Sequence, residues 1–297
     1  MTTLRASRTA VLVCEARAVA HGRVAVGRFA DPVASRMLRP EERAEVEIAR
    51  GPVPRGWSAR VSYEFLTATA EVLASRTVAI DDAVRQLRHP QVVILGAGLD
   101  GRAWRMPELA DATVFEVDQP ASQQDKRERV AGLEAESVVR FVPVELGRDP
   151  LGDALAAAGF DRSVPTTWIL EGVLPYLIDR QVHTTLAEVR ECSAPGSQLI
   201  ATYATKPAIN GVWQLVLRFL FRAAGRRNPI ANEPHVSAWS TEQMRAMMTE
   251  HALTVVSDRD QLTLARTLGI SPKHADHHRR SRVVVASPTD PVVDPQS

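Results

Sequence analysis

The chain has 297 residues, of which 45% are hydrophobic and 24% charged, and its formal net charge is +1. This composition supplies a sizeable core, while the near-neutral charge provides no strong field for nucleic acid or an acidic membrane surface. The two cysteines, Cys14 and Cys192, are too few for a disulfide framework or a tetrahedral zinc site. No apolar run approaches the ~20 residues of a membrane span, and the N-terminus lacks the apolar core of a signal peptide. We therefore expect a soluble, cytoplasmic protein without a metal ion, a nucleic-acid partner or a membrane contact.

The first part of the chain, residues 1–90, has no strong strand pattern and is predicted to form a helical layer. Its breaks fall at Asp31-Pro32 and at residues 51–54, and the spaced apolar residues of 64–88 predict two helices. From residue 91 onwards, strand and helix patterns alternate. The predicted strands are 91–95, 113–117, 138–142, 166–171 and 197–204, and the predicted helices are 101–108, 120–132, 150–158 and 179–192. This alternation predicts an α/β fold with a Rossmann-like, doubly wound and mostly parallel sheet.

The rest of the sequence is expected to cover and complete this sheet within a single domain, 1–297. After the helical layer, the predicted parts are a cofactor-binding core at 91–204, a helical lid at 205–240, the completion of the sheet at 241–287 and a disordered tail at 288–297. The lid prediction rests on an interruption of the alternation by aromatic and arginine side chains. The completion of the sheet should contain a helix from Thr241 and a strand at Val283 to Val285. The histidines and arginines of 274–280 lack metal-ligand spacing and are interpreted as a solvated loop.

The glycine-rich turn after the first predicted strand is the strongest indication of a ligand site. The apolar run Val92 to Leu95 suits a strand that is buried on both faces. Gly96, Gly98 and Gly101 satisfy the G-x-G-x-x-G pattern of dinucleotide-binding turns. Asp100 argues against a dinucleotide, because its carboxylate would repel a pyrophosphate. S-adenosylmethionine has no phosphate and carries an ammonium and a cationic sulfur, so the loop favours a methyltransferase over a nicotinamide-dependent enzyme.

Carboxylates also follow the other predicted strands, at the edge where ligands bind in doubly wound sheets. Asp118 is placed to bind the hydroxyls of a ribose. Glu145 can accept a hydrogen bond from the exocyclic amine of adenine, and Leu146 offers an apolar face to the ring. Glu171 can face the ammonium of the cofactor or anchor its own loop. Each carboxylate could instead cap the next helix, but acidic groups at four strand ends favour a binding site.

Taken together, these motifs resemble the leucine carboxyl methyltransferase family of class I S-adenosylmethionine-dependent methyltransferases, which includes bacterial polyketide carboxyl methyltransferases. The matching runs keep the family's order and are Ser75 to Thr77, Ile80 to Asp82, Leu95 to Arg105, Phe115 to Pro120 with Lys126, Phe141 to Leu146, and Glu171 to Leu177. Two positions depart from the family pattern. Gly101 stands where a threonine is usual, and Glu145 stands where an aspartate is usual.

The resemblance implies a complete site for S-adenosyl-L-methionine. The implied cofactor-binding residues are Arg76, Gly96, Gly98, Asp118, Glu145, Leu146 and Glu171. Arg76 would pair with the carboxylate of the cofactor, with Arg60 as its rival, and Gly96 would let that end lie against the backbone. The ribose, adenine and ammonium would then meet the strand-end residues already described.

The expected reaction is methyl transfer to a carboxylate of a small, secondary-metabolite-like molecule such as a polyketide. A carboxylate with a reference pKa of about 4 is ionised at neutral pH and needs orientation but no general base. Tyr176 and Tyr203 are candidate orienting donors. A hydroxyl acceptor would need a base, for which His235 is the first candidate. A non-catalytic cofactor-binding protein and an NAD(P)-dependent oxidoreductase are the alternatives.

Overall fold

Helices form the N-terminal part of the chain, as the sequence predicts. A computed structural model describes residues 7–205, 237–272 and 275–289. The N-terminal helices are α1 (Arg8–Ala20), α2 (Ala34–Met37), α3 (Pro40–Arg50) and α4 (Trp57–Leu87). Helix α1 begins where the Ser7 hydroxyl accepts a hydrogen bond from the backbone N–H of Ala10, and α3 begins with Pro40, whose missing N–H is not needed in the first turn.

The expectation of two helices within residues 64–88 is wrong, because α4 is one continuous helix of 31 residues. The stretch Trp57–Leu87 contains neither glycine nor proline, so nothing interrupts the ladder of backbone hydrogen bonds. The helix ends at Arg88, whose φ of 48° is left-handed, just before His89-Pro90. As a result, Arg76 lies inside a long rigid element rather than at a helix end.

Within the described ranges, seven strands form one sheet. They are β1 (Gln91–Leu95), β2 (Thr113–Asp118), β3 (Val138–Pro143), β4 (Thr166–Leu170), β5 (Gln198–Ala204), β6 (Leu253–Asp260) and β7 (Ser281–Pro288). The spatial order is β3-β2-β1-β4-β5-β7-β6, in which β1 to β5 are parallel and β7 runs antiparallel to both neighbours. The five predicted strands and the strand at Val283 to Val285 are confirmed, and the order reverses between β1 and β4. Ligands bind at such a reversal, beyond the carboxyl ends of the strands.

Helices connect the strands, and the first five of them lie at predicted positions. They are α5 (Arg102–Arg105), α6 (Pro120–Val130), α7 (Leu151–Ala157), α8 (Asp179–Glu191), α9 (Thr241–Glu250), α10 (Gln261–Thr267) and α11 (Ala275–Arg280), with 3₁₀ turns at Pro107–Leu109 and Leu174–Tyr176. The helix predicted at 101–108 is divided, because Met106 precedes Pro107 and adopts an extended conformation with φ −109° and ψ 97°. A residue before proline is disfavoured in the helical region.

The sheet separates two apolar layers, and alternate residues of β1 contribute to each. Val92 and Ile94 belong to the layer that contains apolar residues of α1 and α4, whereas Val93 and Leu95 belong to the layer beneath α7 and α8. A strand covered on both faces has no polar side, which explains the continuous apolar run in the sequence. The helical N-terminal layer therefore packs on one face of the sheet.

Several expectations concern the later part of the chain. The prediction of a solvated loop at 274–280 is wrong for its described part, because Ala275–Arg280 forms α11 and His278 is buried. Of the predicted lid, residues 206–236 lie outside the described residues, as does 290–297 of the predicted tail. No helix among the described residues is both long and apolar enough to cross a membrane.

Candidate functional site

A cavity of about 430 Å³ opens at the carboxyl ends of β1, β2 and β4. All the cofactor-binding residues predicted from the sequence line it: Arg76, Gly96, Gly98, Asp118, Glu145, Leu146 and Glu171. The cavity has a further wall that the sequence did not indicate, formed by α1 through Ala10, Val13 and Arg17. The structure thus brings the strand ends, the long helix α4 and the first helix of the chain to one place.

The glycine turn packs against the loop after β4 on one side and against α1 on the other. Gly96 has φ +67° and Gly98 has φ +48°, which are left-handed conformations that side chains disfavour. A Cβ at Gly96 would lie 2.4 Å from Cγ2 of Val173, and a Cβ at Gly98 would lie 3.0 Å from Cβ of Ala10. Both positions therefore need glycine, and the turn presents bare backbone to any ligand in the cavity.

Asp118 is fixed at the end of β2 by backbone groups. Its Oδ2 accepts the N–H of Gly98 at 2.6 Å, and its Oδ1 accepts the N–H of Gln119 at 2.7 Å. Burial raises the pKa of the Asp118 carboxyl, although these two hydrogen bonds oppose the shift. The carboxylate is thus tied directly to the glycine turn, beside the cavity.

Glu171 lies at the end of β4 and contacts three arginines. Its Oε1 accepts from Nη2 of Arg17 at 2.9 Å and from Nε of Arg76 at 2.8 Å, and its Oε2 accepts from Nη2 of Arg102 at 2.9 Å. Burial alone would raise the pKa of Glu171, but the three guanidinium groups hold it well below its usual value. Glu171 is therefore ionised and anchors α1, α4 and α5 to the end of the strand.

Asp100, the acidic residue of the glycine turn, is also paired. Arg102 contacts it through a short ion pair, and the backbone N–H of Arg102 donates to Asp100 Oδ1 at 2.8 Å. Nζ of Lys126 donates to the backbone carbonyl of Asp100 at 2.8 Å. Asp100 is thus paired in the structure, which the sequence argument from its charge did not include. Its contact with the N–H of Arg102, at the start of α5, is the helix-capping role that the sequence analysis gave as the alternative.

These contacts continue into a buried ion-pair network behind the cavity. Arg102 also donates through Nε to Asp81 at 2.8 Å, and Arg105 pairs with Asp81 at 2.7 Å and with Asp31 at 3.4 Å. Burial favours a neutral Asp81, but Arg105 and Arg102 hold its pKa below the usual value. The network connects the turn after α1, helix α4 and the loop after β1, so it fixes the glycine turn relative to the N-terminal layer.

The opposite end of the cavity is open to solvent. Glu145 is 38% exposed, and both of its carboxylate oxygens lie 2.9 Å from Nη1 of Arg148. Leu146 is buried beside it and lines the cavity. This end therefore combines an apolar wall with an acceptor whose ion-pair partner is a solvent-exposed arginine.

The three candidate catalytic residues fall in different places. Tyr176 lines the cavity, in the 3₁₀ turn after β4. The hydroxyl of Tyr203 donates to Oδ2 of Asp258 at 2.6 Å, and Tyr203 is not among the residues of the cavity wall. His235 lies outside the described residues. Within the described ranges, no group of three His, Cys, Asp or Glu side chains could hold a metal ion.

Arg17 and Arg102 are the site residues that sequence reasoning missed. Arg102 is buried although it follows a glycine turn, where an arginine is usually solvated. For Arg17, a signal was present: Ala10, Val13 and Arg17 are spaced i, i+3 and i+7, which puts them on one face of a helix. Because the other residues of α1 are also largely apolar, this face could not be distinguished from a core face by pattern alone.

The fold and the cavity together define the class I methyltransferase architecture. A protein from Streptomyces avermitilis of the family named DUF574 aligns over 95% of this chain and 97% of its own, with 11% identity and a TM-score of 0.56. A protein from Thermobifida fusca, provisionally named a methyltransferase, aligns over 97% of both chains with 18% identity and a TM-score of 0.53. At these identities, the likeness shows the fold alone.

Sequence comparison gives the family. The family description "Leucine carboxyl methyltransferase" matches residues 10–190, which is more than half of the chain, and the chain belongs to this family. A relative from Mycobacterium sp. (strain KMS), provisionally named an S-adenosyl-L-methionine-dependent methyltransferase, is 43% identical over 135 residues, or 44% of each protein. A relative of the same name from Mycobacterium bovis BCG is 46% identical over 111 residues, or 37% of this chain and 36% of its own. Family membership confirms S-adenosylmethionine as the predicted cofactor, while these matches span less than half the length of the curated relatives.

Proposed function

We propose that the chain is an S-adenosylmethionine-dependent O-methyltransferase that converts a carboxylate of a small molecule into a methyl ester. The observation that carries this proposal is that all seven predicted cofactor-binding residues line one cavity. Family membership supports methyl transfer, and the resemblance to carboxyl methyltransferases supports the carboxylate.

The residues of the cavity fit the cofactor in charge and shape. The backbone of Gly96 would face the methionine end, and Arg76, which also lines the cavity, is the proposed partner of its carboxylate. Asp118 has the acceptor chemistry for ribose hydroxyls, and Leu146 has the apolar surface for an adenine ring. At the exposed end, Glu145 would exchange Arg148 for the exocyclic amine of adenine.

For methyl transfer to a carboxylate, the protein needs to bind the two reactants and orient them. When bound, S-adenosylmethionine supplies a methyl group attached to a cationic sulfur. An acceptor oxygen must come to within about 3–3.5 Å of that carbon, in line with the bond that breaks, so the side chains around it must hold the acceptor in one orientation. Among the described residues that line the cavity there is no histidine, lysine or cysteine, and its carboxylates already accept hydrogen bonds from backbone N–H or arginine groups. This supports an acceptor that is already ionised, because a hydroxyl would need a base.

We assign Tyr176 to acceptor orientation, since it lines the cavity in the 3₁₀ turn that follows Glu171 in sequence. Tyr203 has its hydroxyl committed to Asp258, so we do not assign it a role in the reaction. A polyketide or other secondary metabolite is the narrower proposal for the acceptor. Its support is compositional: the sequence at 205–240 holds Trp213, Phe219 and several arginines, which suit an apolar, anionic molecule.

The experiment is a screen of carboxylic and phenolic metabolites with S-adenosylmethionine that carries a labelled methyl group. We expect labelled product from carboxylic acids, and mild alkali should release the label as volatile methanol, because methyl esters are base-labile. Label that survives alkali would contradict the carboxylate proposal and leave a hydroxyl acceptor, with His235 as the first base to test. Binding of the cofactor without any product in single-turnover assays would favour a non-catalytic role, and binding of NAD(P) instead would favour an oxidoreductase.

A further inference from the structure

We propose that a groove between helix α4 and strands β6 and β7, called the α4 groove below, binds an amphipathic carboxylate, that is, an anion with a slender apolar chain. The α4 groove has a volume of about 530 Å³, against about 430 Å³ for the cofactor cavity. Within the described ranges the two share no lining residue: Ser75 lines the α4 groove, whereas its neighbour Arg76 lines the cofactor cavity. The inference therefore concerns a separate site and goes beyond the proposed function.

One face of α4 forms the long wall of the α4 groove. Its residues recur three and four positions apart and are Ser75, Val78, Ala79, Asp82, Ala83, Gln86 and Leu87. From the first to the last of them the helix rises by roughly 18 Å. Leu264 of α10 and Val283 and Val285 of β7 also line the groove, and Leu264 and Val283 are buried. A flat protein surface cannot reach buried residues at the bottom of a groove, whereas a slender chain can.

A β-bulge in β6 brings a cationic side chain to this groove. The pairing of β6 with β7 shifts between Val255 and Ser257, so that Val256 is an extra residue in the strand. Before the bulge, Val255 packs on the apolar layer beneath α7 and α8. After it, Ser257 and Arg259 line the α4 groove, on the other face of the sheet. Since side chains alternate along a strand, a strand without the extra residue would turn Arg259 away from the groove.

The charges around the α4 groove are unbalanced in favour of an anion. Its charged lining residues are Arg28, Asp82 and Arg259. Nη2 of Arg28 lies 2.7 Å from Oδ2 of Asp82, so these two are paired. The exposed guanidinium of Arg259 has no ion-pair or hydrogen-bond partner among the described residues. A guanidinium offers a fork of donors that matches the two oxygens of a carboxylate. An unpaired arginine beside a long apolar groove therefore suits a carboxylate that carries an apolar chain.

The test compares two probes that differ only in the head group, decanoate and 1-decanol. Calorimetry at neutral pH should measure both dissociation constants for the full chain, with the cofactor cavity filled by saturating S-adenosylhomocysteine. The variants are Arg259→Gln, Arg259→Glu and Ala83→Phe, of which the last places a ring in the groove. Arg266→Gln is the matched control, because Arg266 is an exposed arginine of α10 that does not line the groove.

We expect the parent chain to bind decanoate more tightly than decanol, because only decanoate pairs with Arg259. Arg259→Gln should weaken decanoate binding by roughly 3- to 10-fold, the effect of losing a charged hydrogen bond at an exposed position. Arg259→Glu should weaken it further by repulsion, and neither change should affect decanol. Ala83→Phe should weaken both probes by roughly 10-fold or more, since it fills the space for the chain. The Arg266→Gln control should bind both probes as the parent chain does.

Three results would overturn the inference. The first is equal affinity of the parent chain for decanoate and decanol. The second is decanoate binding that no groove variant changes, which would place this ligand elsewhere, such as at the methyl-acceptor position. The third is a dimer in sedimentation velocity that Arg259→Glu dissociates and that binds no decanoate, which would assign the groove to a second copy of the chain.

Two further points keep the test decisive. If circular dichroism shows that Ala83→Phe is unfolded, the two variants of the exposed Arg259 decide alone. Failure of the proposed function looks different, because it would appear as a lack of methyl ester in the labelled screen, whereas binding to the α4 groove is measured without methyl transfer.

Discussion

The two ends of the cavity use the same kind of ion pair in opposite surroundings. At one end, Glu171 is 5% exposed and is held by three arginines that are themselves largely buried. At the other, Glu145 is 38% exposed and contacts Arg148, which is 64% exposed. Removing one partner of a buried pair strands a charge away from water, whereas an exposed pair exchanges readily for water. The comparison teaches that the buried end is built into the fold and the exposed end is free to adapt to a ligand.

The largest expected effect comes from breaking the buried end. Glu171→Gln would leave Arg17 and Arg76 without their carboxylate, and we expect it to lower the free energy of unfolding by about 3–5 kcal/mol. Urea denaturation followed by circular dichroism measures this change. Glu145→Gln is the matched control, for which we expect no measurable loss of stability. Equal effects of the two substitutions would refute the distinction between the ends.

Acidification should weaken the buried end. The arginines hold the folded-state pKa values of Glu171 and Asp81 below the usual ones. A lowered folded-state pKa contributes stability that is complete above the unfolded-state pKa of about 4 and is lost as pH falls through the folded-state value. We therefore expect stability to drop more steeply below pH ~4 in the parent chain than in Glu171→Gln. Parallel pH profiles of the two proteins would contradict this expectation.

The glycine turn, which lies between α1 and the loop after β4, offers a sharper test of packing. In Gly96→Ala, the new methyl combines a left-handed φ of +67° with a contact of 2.4 Å to Val173, so we expect a loss of about 2–4 kcal/mol. Gly132→Ala is the control for backbone strain alone, since its φ is +83° and nothing lies within 4 Å of its Cβ position. It should lose about 1–2 kcal/mol. Adding Val173→Ala to Gly96→Ala should recover the difference, and failure to recover any of it would show that Val173 is not the obstacle.

The smallest expected effect concerns Asp118, and it appears in binding rather than in the fold. Asp118→Ala should weaken both S-adenosylhomocysteine and 5′-methylthioadenosine by roughly 10- to 100-fold, because both ligands contain the ribose. Asp111→Ala, at an exposed position outside the cavity, is the control. Normal affinities in a folded Asp118→Ala variant would remove Asp118 from the ribose site.

Much of the parallel core could be predicted because its signals are local. The run Val92 to Leu95 is apolar throughout since the strand is covered on both faces, and Gly96 and Asp118 follow strand ends that the chain brings together. The edge strand β6 escaped prediction because its sequence, Leu253–Asp260, is polar at five of its eight positions and only partly buried. The apolar spacing of 64–88 predicts two helices, whereas Trp57–Leu87 contains no helix breaker and α4 is continuous.

The partners of the carboxylates could not be predicted from local pattern. The sequence indicates Glu171 as an acidic strand end, but its contacts come from Arg17, Arg76 and Arg102, which belong to three different helices. Arginines of this kind look like surface residues in a sequence, because their burial depends on carboxylates far away along the chain. Tertiary structure alone therefore distinguishes a ligand-facing charge from one that is already paired.

The contact between Arg17 and Glu171 also bears on how the site comes into being. These two residues are 154 positions apart in sequence, and closing so large a loop is entropically slow. Helix α1 consists of local contacts and can form early, but Arg17 can pair with Glu171 only after β4 has joined the sheet. The cofactor cavity should accordingly be among the last parts of the protein to form. Substitutions at Arg17 should then accelerate unfolding more than they retard refolding, as stopped-flow measurements in urea would reveal.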